Sequence, residues 1–100
     1  MNPHTRLAIE EMLSVRISHL NRLAGGDINE AWRLDTADGK TRFVKTNPNA
    51  TASLFPTEAQ GLRWLAAANA LATPSIVAVS EGAGTSAFLV LEFLDPAPPK

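Results

Sequence analysis

The sequence contains no cysteine and no tyrosine, and its aromatic residues are two tryptophans and four phenylalanines. Without cysteine there is no disulfide, no thiolate nucleophile and no cysteine-ligated metal, a composition that a reducing compartment permits without requiring it. An excess of charge of one sign is missing too: nine basic and ten acidic residues are mixed along the chain, for a net charge of -1. Such a balance leaves no electrostatic footprint for nucleic acid or an anionic membrane. No apolar run approaches the roughly 18 residues that a membrane span needs. Glu10 and Glu11 interrupt the one stretch that could act as a signal core, so export is not expected and a cytoplasmic setting is. His4 and His19 have no second histidine at metal-binding spacing, and Asp27, Glu30, Asp35 and Asp38 follow turns rather than a metal loop, so no metal ligand is assigned. Two nucleotide signatures are also lacking: there is no G-x-x-x-x-G-K-[ST], and no G-x-G-x-x-G after a strand.

What remains is a chain of 100 residues with an apolar fraction of 45%, enough for the core of one small domain or of part of a larger protein. Thr5 to Ser14 reads as a short amphipathic helix, with Leu7, Ile9, Met12 and Leu13 available to pack and Glu10 and Glu11 wet. Val15 to Leu23 reads as a first strand, Gly25-Gly26-Asp27 as a turn, and Ala31 to Asp35 as a second strand. Ala37-Asp38-Gly39-Lys40 is a hairpin signal before a third strand, Arg42 to Thr46. A helix follows from Thr57 to Leu71 with Pro56 at its entry. Gly61 inside it predicts a close neighbour, and Trp32 and Trp64 read as core or subunit-facing mass. Ile76 to Ala78 and Ala87 to Phe93 complete five antiparallel strands. With one helix against a face and a short N-terminal helix, the expected class is a two-layer α+β unit. The tail Asp95-Pro96-Ala97-Pro98-Pro99-Lys100 reads as extended linker, so residues 1–94 are expected to form a lobe and 95–100 to lead toward a further one.

Chemistry begins with Lys45 and Glu58. Lys45 shares a strand face with Phe43, and Glu58 sits one and two turns before Leu62 and Leu65 on the helix. A carboxylate on an apolar helix face is costly unless a cation meets it. The strand lysine, joined by a short connection, is the economical partner, and an ammonium held this way can be presented to a phosphate. Gly25 and Gly26 let backbone N–H groups approach a ligand closely, which suits phosphates and equally suits an ordinary hairpin. Leu91-Glu92-Phe93-Leu94 runs out of a strand, leaving backbone groups that could meet the edge of a planar base.

In order, these pieces are a glycine turn, a strand lysine, a helix glutamate and a strand ending in a linker. The chain thereby resembles the N-terminal lobe of the protein-kinase-like fold. More closely, it is similar to the fructosamine kinase (ketosamine-3-kinase) family of the aminoglycoside-phosphotransferase-like group. The stretches that carry the resemblance are Gly25 to Trp32, Arg42 to Asn47, Phe55 to Leu62, Val77, and Phe88 to Leu94. The resemblance implies an ATP- and Mg²⁺-dependent kinase that phosphorylates the 3-hydroxyl of a sugar joined to an amine. It implies Gly25 and Gly26 over the phosphates, Lys45 on the α- and β-phosphates, and Glu58 fixing the Lys45 ammonium. Phe43 and Leu91 would line the adenine pocket, with the Glu92 carbonyl and the Leu94 N–H at the adenine edge. Some members carry a cysteine straight after the glycine pair, where this chain has Asp27, so a redox switch there is not expected. The catalytic aspartate and the metal ligands of the family belong to a C-terminal lobe, outside these residues.

Two other functions are compatible with the residues. One is a phosphotransferase of the same fold acting on an aminoglycoside, choline or homoserine-like hydroxyl. The other is a non-catalytic α+β binding module. The kinase reading implies as partners a small sugar-amine substrate and the chain's own C-terminal lobe, with neither nucleic acid nor membrane. It also implies that the isolated lobe is inactive and exposes an apolar face, with marginal stability or self-association as the consequence.

Overall fold

The computed structural model of the chain describes residues 1–24, 29–68 and 73–93. Its elements are α1 (Pro3–Leu13), β1 (Ile17–Ala24), β2 (Glu30–Thr36), β3 (Thr41–Thr46), α2 (Leu54–Ala67), β4 (Ile76–Val79), a single 3-10 turn (Gly84–Ser86) and β5 (Phe88–Glu92). The strands form one five-stranded antiparallel sheet in the order β1-β2-β3-β5-β4. This is the architecture of a protein-kinase-like N-terminal lobe.

Register in this sheet is set at the β2–β3 hairpin. Gly39 adopts a φ of 87°, a left-handed conformation that costs little without a Cβ. Its N–H donates to the Thr36 carbonyl at 2.9 Å, and the Thr36 N–H donates to the Lys40 carbonyl at 2.8 Å. The turn fixes Asp35 opposite Thr41, Arg33 opposite Phe43 and Ala31 opposite Lys45. On the far side of β3, Phe43 pairs with Leu91 and Lys45 with Leu89. Residues directly opposite share a face, so the hairpin decides which β2 residue lies beside Lys45 and the β3–β5 pairing decides the other neighbour.

The two faces bury different clusters. Val44, Trp32, Leu34, Phe88 and Val90 point to one side and meet Ile9 of α1 and Ile17. Ala87, Leu89 and Leu91 point to the other and meet Phe55 and Ala59 of α2. Phe88 to Leu91 are buried without interruption, as expected of a strand covered on both faces. A helix therefore lies against each face of the sheet, α1 on one side and α2 over part of the other, the packed helix and short N-terminal helix expected from the sequence. Ile9 alone among the α1 apolar residues is fully buried, while Leu7 and Met12 stay about half exposed.

Polar residues of α1 attach it to the edge of the sheet. Asn2 caps the helix by accepting from the His4 N–H at 2.8 Å, with Pro3 at the first helical position where a missing N–H does no harm. One turn apart, Arg6 donates to the Ile17 carbonyl at 3.0 Å and Glu10 accepts from the Ile17 N–H at 2.8 Å. These side chains occupy backbone groups that an edge strand would otherwise present to another chain. Glu10 is thus a structural acceptor, not simply a solvated acid.

α2 begins at Leu54, a turn earlier than the Pro56–Thr57 signal indicated. Pro56 sits in the first turn, where the N–H groups have no intrahelical acceptor to lose. Its anchors are Phe55 and Ala59, both fully buried, with Leu62 packed beside them at the i, i+4, i+7 spacing of one helical face. Gly61 is exposed, and among the described residues no atom lies within 4 Å of an added Cβ, so the close neighbour expected there is not found among them. Trp32 is core, but Trp64 is 70% exposed. Three positions before Trp64 is Gly61 and nine before it is Phe55, so Trp64 lies on the side of α2 away from the sheet. Residues 69–72 of the expected helix lie outside the described residues. Among the described residues no helix is long and apolar enough to cross a membrane.

Phe55→Ala should therefore cost about 3–5 kcal/mol of stability, whereas Trp64→Ala should cost well under ~1 kcal/mol. Urea unfolding of the two variants beside the unaltered chain checks the ranking. The hairpin adds a pH dependence. Asp35 is held below the ordinary aspartate value of 3.8, mainly by the Thr41 hydroxyl donating to it, with desolvation opposing and Arg33 adding. A depressed carboxyl contributes stability above its unfolded pKa and loses it as pH falls through the folded value. Thr41→Val should raise the Asp35 midpoint toward 3.8 and flatten the acid-side loss of stability, as read by carboxyl-carbon NMR titration and unfolding at each pH.

Candidate functional site

Alternation along β3 turns Phe43 and Lys45 toward α2, and hairpin register brings Ala31, Arg33 and Asp35 of β2 to the same face. The core cluster on this side draws on α2, β4 and β5. Toward β1 the face is open: Arg33, Asn21 and His19 are exposed, and Ala31, Asp35 and Phe43 are half-buried. Lys45 stands at the boundary between the covered and open parts.

There the Lys45 ammonium donates to Glu58 Oε2 at 2.6 Å, with the two side chains 30% and 27% exposed. The contact exists because the sheet register fixes one partner while the Phe55 and Ala59 anchors fix the helical phase of the other. Glu58 lies beside that buried row rather than at its centre, which lets its carboxylate reach over the sheet. Among the described residues Glu58 is the one carboxylate in ion-pair contact with Lys45. An ammonium carries three N–H donors, so the pair orients the cation and still leaves donors for an anionic ligand. The charges expected from the sequence to meet do meet.

Around this pair, Leu91 is 4% exposed and lies between Phe43 of β3 and Ile76 of β4 in the register. Phe43 packs against the same cluster and keeps part of its ring surface open. Glu92 ends β5 with an exposed side chain, and its N–H donates to the Ser75 carbonyl at 2.8 Å. Gly25, Gly26 and Leu94, named from the sequence, lie outside the described residues. No three histidine, aspartate or glutamate side chains converge as a metal site among the described residues.

Arg33 was missed in the sequence reading. It lies on the open part of this face, with Nε 3.5 Å from Asp35 Oδ1 and its guanidinium carbon 5.4 Å from the centre of the Phe93 ring. The signal for its placement was in the chain: a hairpin centred on Asp38 puts Arg33 opposite Phe43, and Phe43 had already been placed beside Lys45.

The opposite face has a polar network of its own. Trp32 Nε1 donates to the Thr46 hydroxyl at 2.8 Å, and that hydroxyl donates to Glu30 at 3.0 Å. Arg22 lies 3.7 Å from Glu30 and 5.8 Å above the Trp32 ring. Those contacts tie β1, β2 and β3 together at one end without entering the Lys45 face.

A five-stranded antiparallel sheet, a helix whose glutamate meets a central-strand lysine, and an open face beside that pair define a kinase-like N-terminal lobe. The fructosamine kinase family profile matches residues 1–100, and the chain belongs to that family. It is 36% identical to a probable ketoamine kinase of Vibrio vulnificus over 88 residues, covering 87% of this chain and 30% of that protein. Similarity extends to a chloroplastic protein-ribulosamine 3-kinase of Oryza sativa subsp. japonica, 29% identical over 94% of this chain and 27% of that protein. A solved Thermobifida fusca structure described as a fructosamine-3-kinase superposes with a TM-score of 0.71 at 26% identity, covering 95% of this chain and 32% of that one. The chain thus spans about 30% of the length of the curated relatives it matches.

A double-mutant cycle measures the pair. Lys45→Met and Glu58→Gln should show a coupling of about 1 kcal/mol, the upper end for ion pairs that keep contact with water. Unfolding of the two single variants and the double variant reads it, and additive losses would show that the two groups do not interact in solution.

Proposed function

We propose that this chain is the nucleotide-gripping lobe of an ATP-dependent kinase that phosphorylates the 3-hydroxyl of a ketosamine. The observation that carries the reading is the 2.6 Å Lys45–Glu58 contact beside an open sheet face, in a chain of the fructosamine kinase family. Support for the acceptor class comes from the names of the similar proteins, ketoamine kinase and ribulosamine 3-kinase.

The residues present fit a nucleoside triphosphate. Lys45 supplies a cation whose position is fixed before the ligand arrives, so little reorganisation is needed when phosphate oxygens meet it. Glu58 holds that cation against the sheet and keeps it from being drawn into solvent. Phe43 offers a partly open aromatic face to a base, and Leu91 closes the pocket behind it. The Glu92 carbonyl and the Leu94 N–H are assigned to the base edge, and Gly25 and Gly26 to the phosphates. For Leu94, Gly25 and Gly26 the assignment rests on the family resemblance. ATP supplies the transferable phosphoryl group.

Magnesium does not fit the side chains described, because no carboxylate cluster converges among them. We assign its ligands and the base that takes the acceptor proton to a lobe outside these residues. Phosphoryl transfer depends on positioning and charge neutralisation across both lobes, so these residues alone bind and orient without turning over.

In the full-length gene product, Lys45→Met should lower kcat/KM for ketosamine phosphorylation by about 10²–10³-fold, the range for loss of one preorganised donor. ATP-Mg²⁺ turnover assays against fructosamine, ribulosamine and aminoglycoside acceptors check it. Equal turnover by Lys45→Met and the unaltered enzyme would refute the role of Lys45, and preference for an aminoglycoside would refute the acceptor class.

A further inference from the structure

A chain of side-chain contacts crosses the open face from the β2–β3 hairpin to the residue that follows β5. The Thr41 hydroxyl donates to Asp35 Oδ1 at 2.8 Å. The same carboxylate oxygen lies 3.5 Å from Arg33 Nε. The Arg33 guanidinium in turn stands over the Phe93 ring, 5.4 Å from its centre and inside the range of a cation–π attraction. Phe93 lies just past the last ladder residue, Glu92, so the sheet's own hydrogen bonds end before it. Its ring is half-buried, although the next core position along the strand, Leu91, belongs to the interior. Arg33 is anchored from behind by Asp35 and reaches across Phe43, which separates it from Leu91 in the register.

We infer that Arg33 is a positioning residue for base recognition, clasping Phe93 so that the Glu92–Phe93 backbone at the end of β5 is held in place beside β3. The inference rests on the nucleotide reading above and deepens it. The Glu92 carbonyl, assigned above to the base edge, immediately precedes Phe93, and it discriminates bases only if the chain there does not drift. The phosphate-binding cation, Lys45, lies on the same face and takes no part in the clasp. Loss of Arg33 therefore weakens the base contribution to binding and leaves the phosphate contribution alone, which separates this role from that of a phosphate ligand or of a general support for the fold.

The test uses the full-length gene product and two probes, ATP and inorganic tripolyphosphate, the second having no base. Arg33→Ala should raise the KM for ATP about two- to fivefold, the factor expected of a cation–π contact at a partly exposed site. The preference for ATP over GTP should shrink by the same factor, and inhibition by tripolyphosphate should not move. Arg33→Lys keeps a cation over the ring and should recover most of the loss. Phe93→Leu should reproduce the Arg33→Ala values, and the double variant should be no worse than either single one. Equal weakening of ATP and tripolyphosphate, or no change in ATP affinity on removing Arg33, would overturn the inference while the nucleotide reading stands. An unaltered enzyme that takes neither ATP nor tripolyphosphate would overturn both. Lys45→Met, which should lose both probes together, shows which of the two has failed.

Discussion

The Lys45–Glu58 contact depends on two independent geometric settings being right together. One is the position of Lys45 in a central strand, paired with Ala31 on one side and Leu89 on the other. The second is the rotation of α2, fixed by Phe55 and Ala59 in the core. A one-residue slip of β3 would turn Lys45 into the α1-side cluster and bring Val44 out under the helix. Either charge left alone on this face would be an uncompensated cost, since both are about two-thirds removed from water. The pair is therefore a constraint on the fold as well as a feature of the site, and the fold satisfies it with side chains only thirteen residues apart.

The two faces of the sheet divide the work. On the α1 side, Ile9, Trp32, Leu34, Val44, Phe88 and Val90 form a closed cluster, and Arg6 and Glu10 occupy the outer backbone groups of Ile17. That side gives rigidity. On the α2 side the helix covers the β4–β5 half and leaves the β1–β2 half open. A sheet backed by a buried core is a suitable platform for holding a cation and an aromatic ring at fixed separation. The contacts among Thr41, Asp35, Arg33 and Phe93 extend the same logic to the open half, which no helix covers among the described residues.

Much of this was legible in the sequence, for identifiable reasons. The hairpin at Ala37 to Lys40 was readable because Asp-Gly marks a turn that needs positive φ, and from it the β2 neighbour of Lys45, Ala31, follows by counting. The Lys45–Glu58 pairing was readable because a charge on an apolar helix face demands a partner. Four features were not read. The start of α2 at Leu54 is set by burial of Phe55, a tertiary term that local propensity does not contain. Trp64 was left as core or subunit-facing mass from its size alone, although its helical phase relative to Phe55 excludes the core of this lobe. The N-terminal helix was seen, but which face it covers depends on Arg6 and Glu10 reaching Ile17, a contact between elements that periodicity within either one cannot reveal. Arg33 was passed over because an arginine in a strand looks like any solvated charge until its cross-strand neighbour is counted.

The most direct measurement of the central claim is the structure of the full-length protein with a non-hydrolysable ATP analogue. The account predicts Lys45 Nζ within hydrogen-bonding distance of an α- or β-phosphate oxygen, with Glu58 still in contact with the same ammonium. Phosphates bound on another surface, or Lys45 turned away from them with its glutamate partner detached, would contradict it.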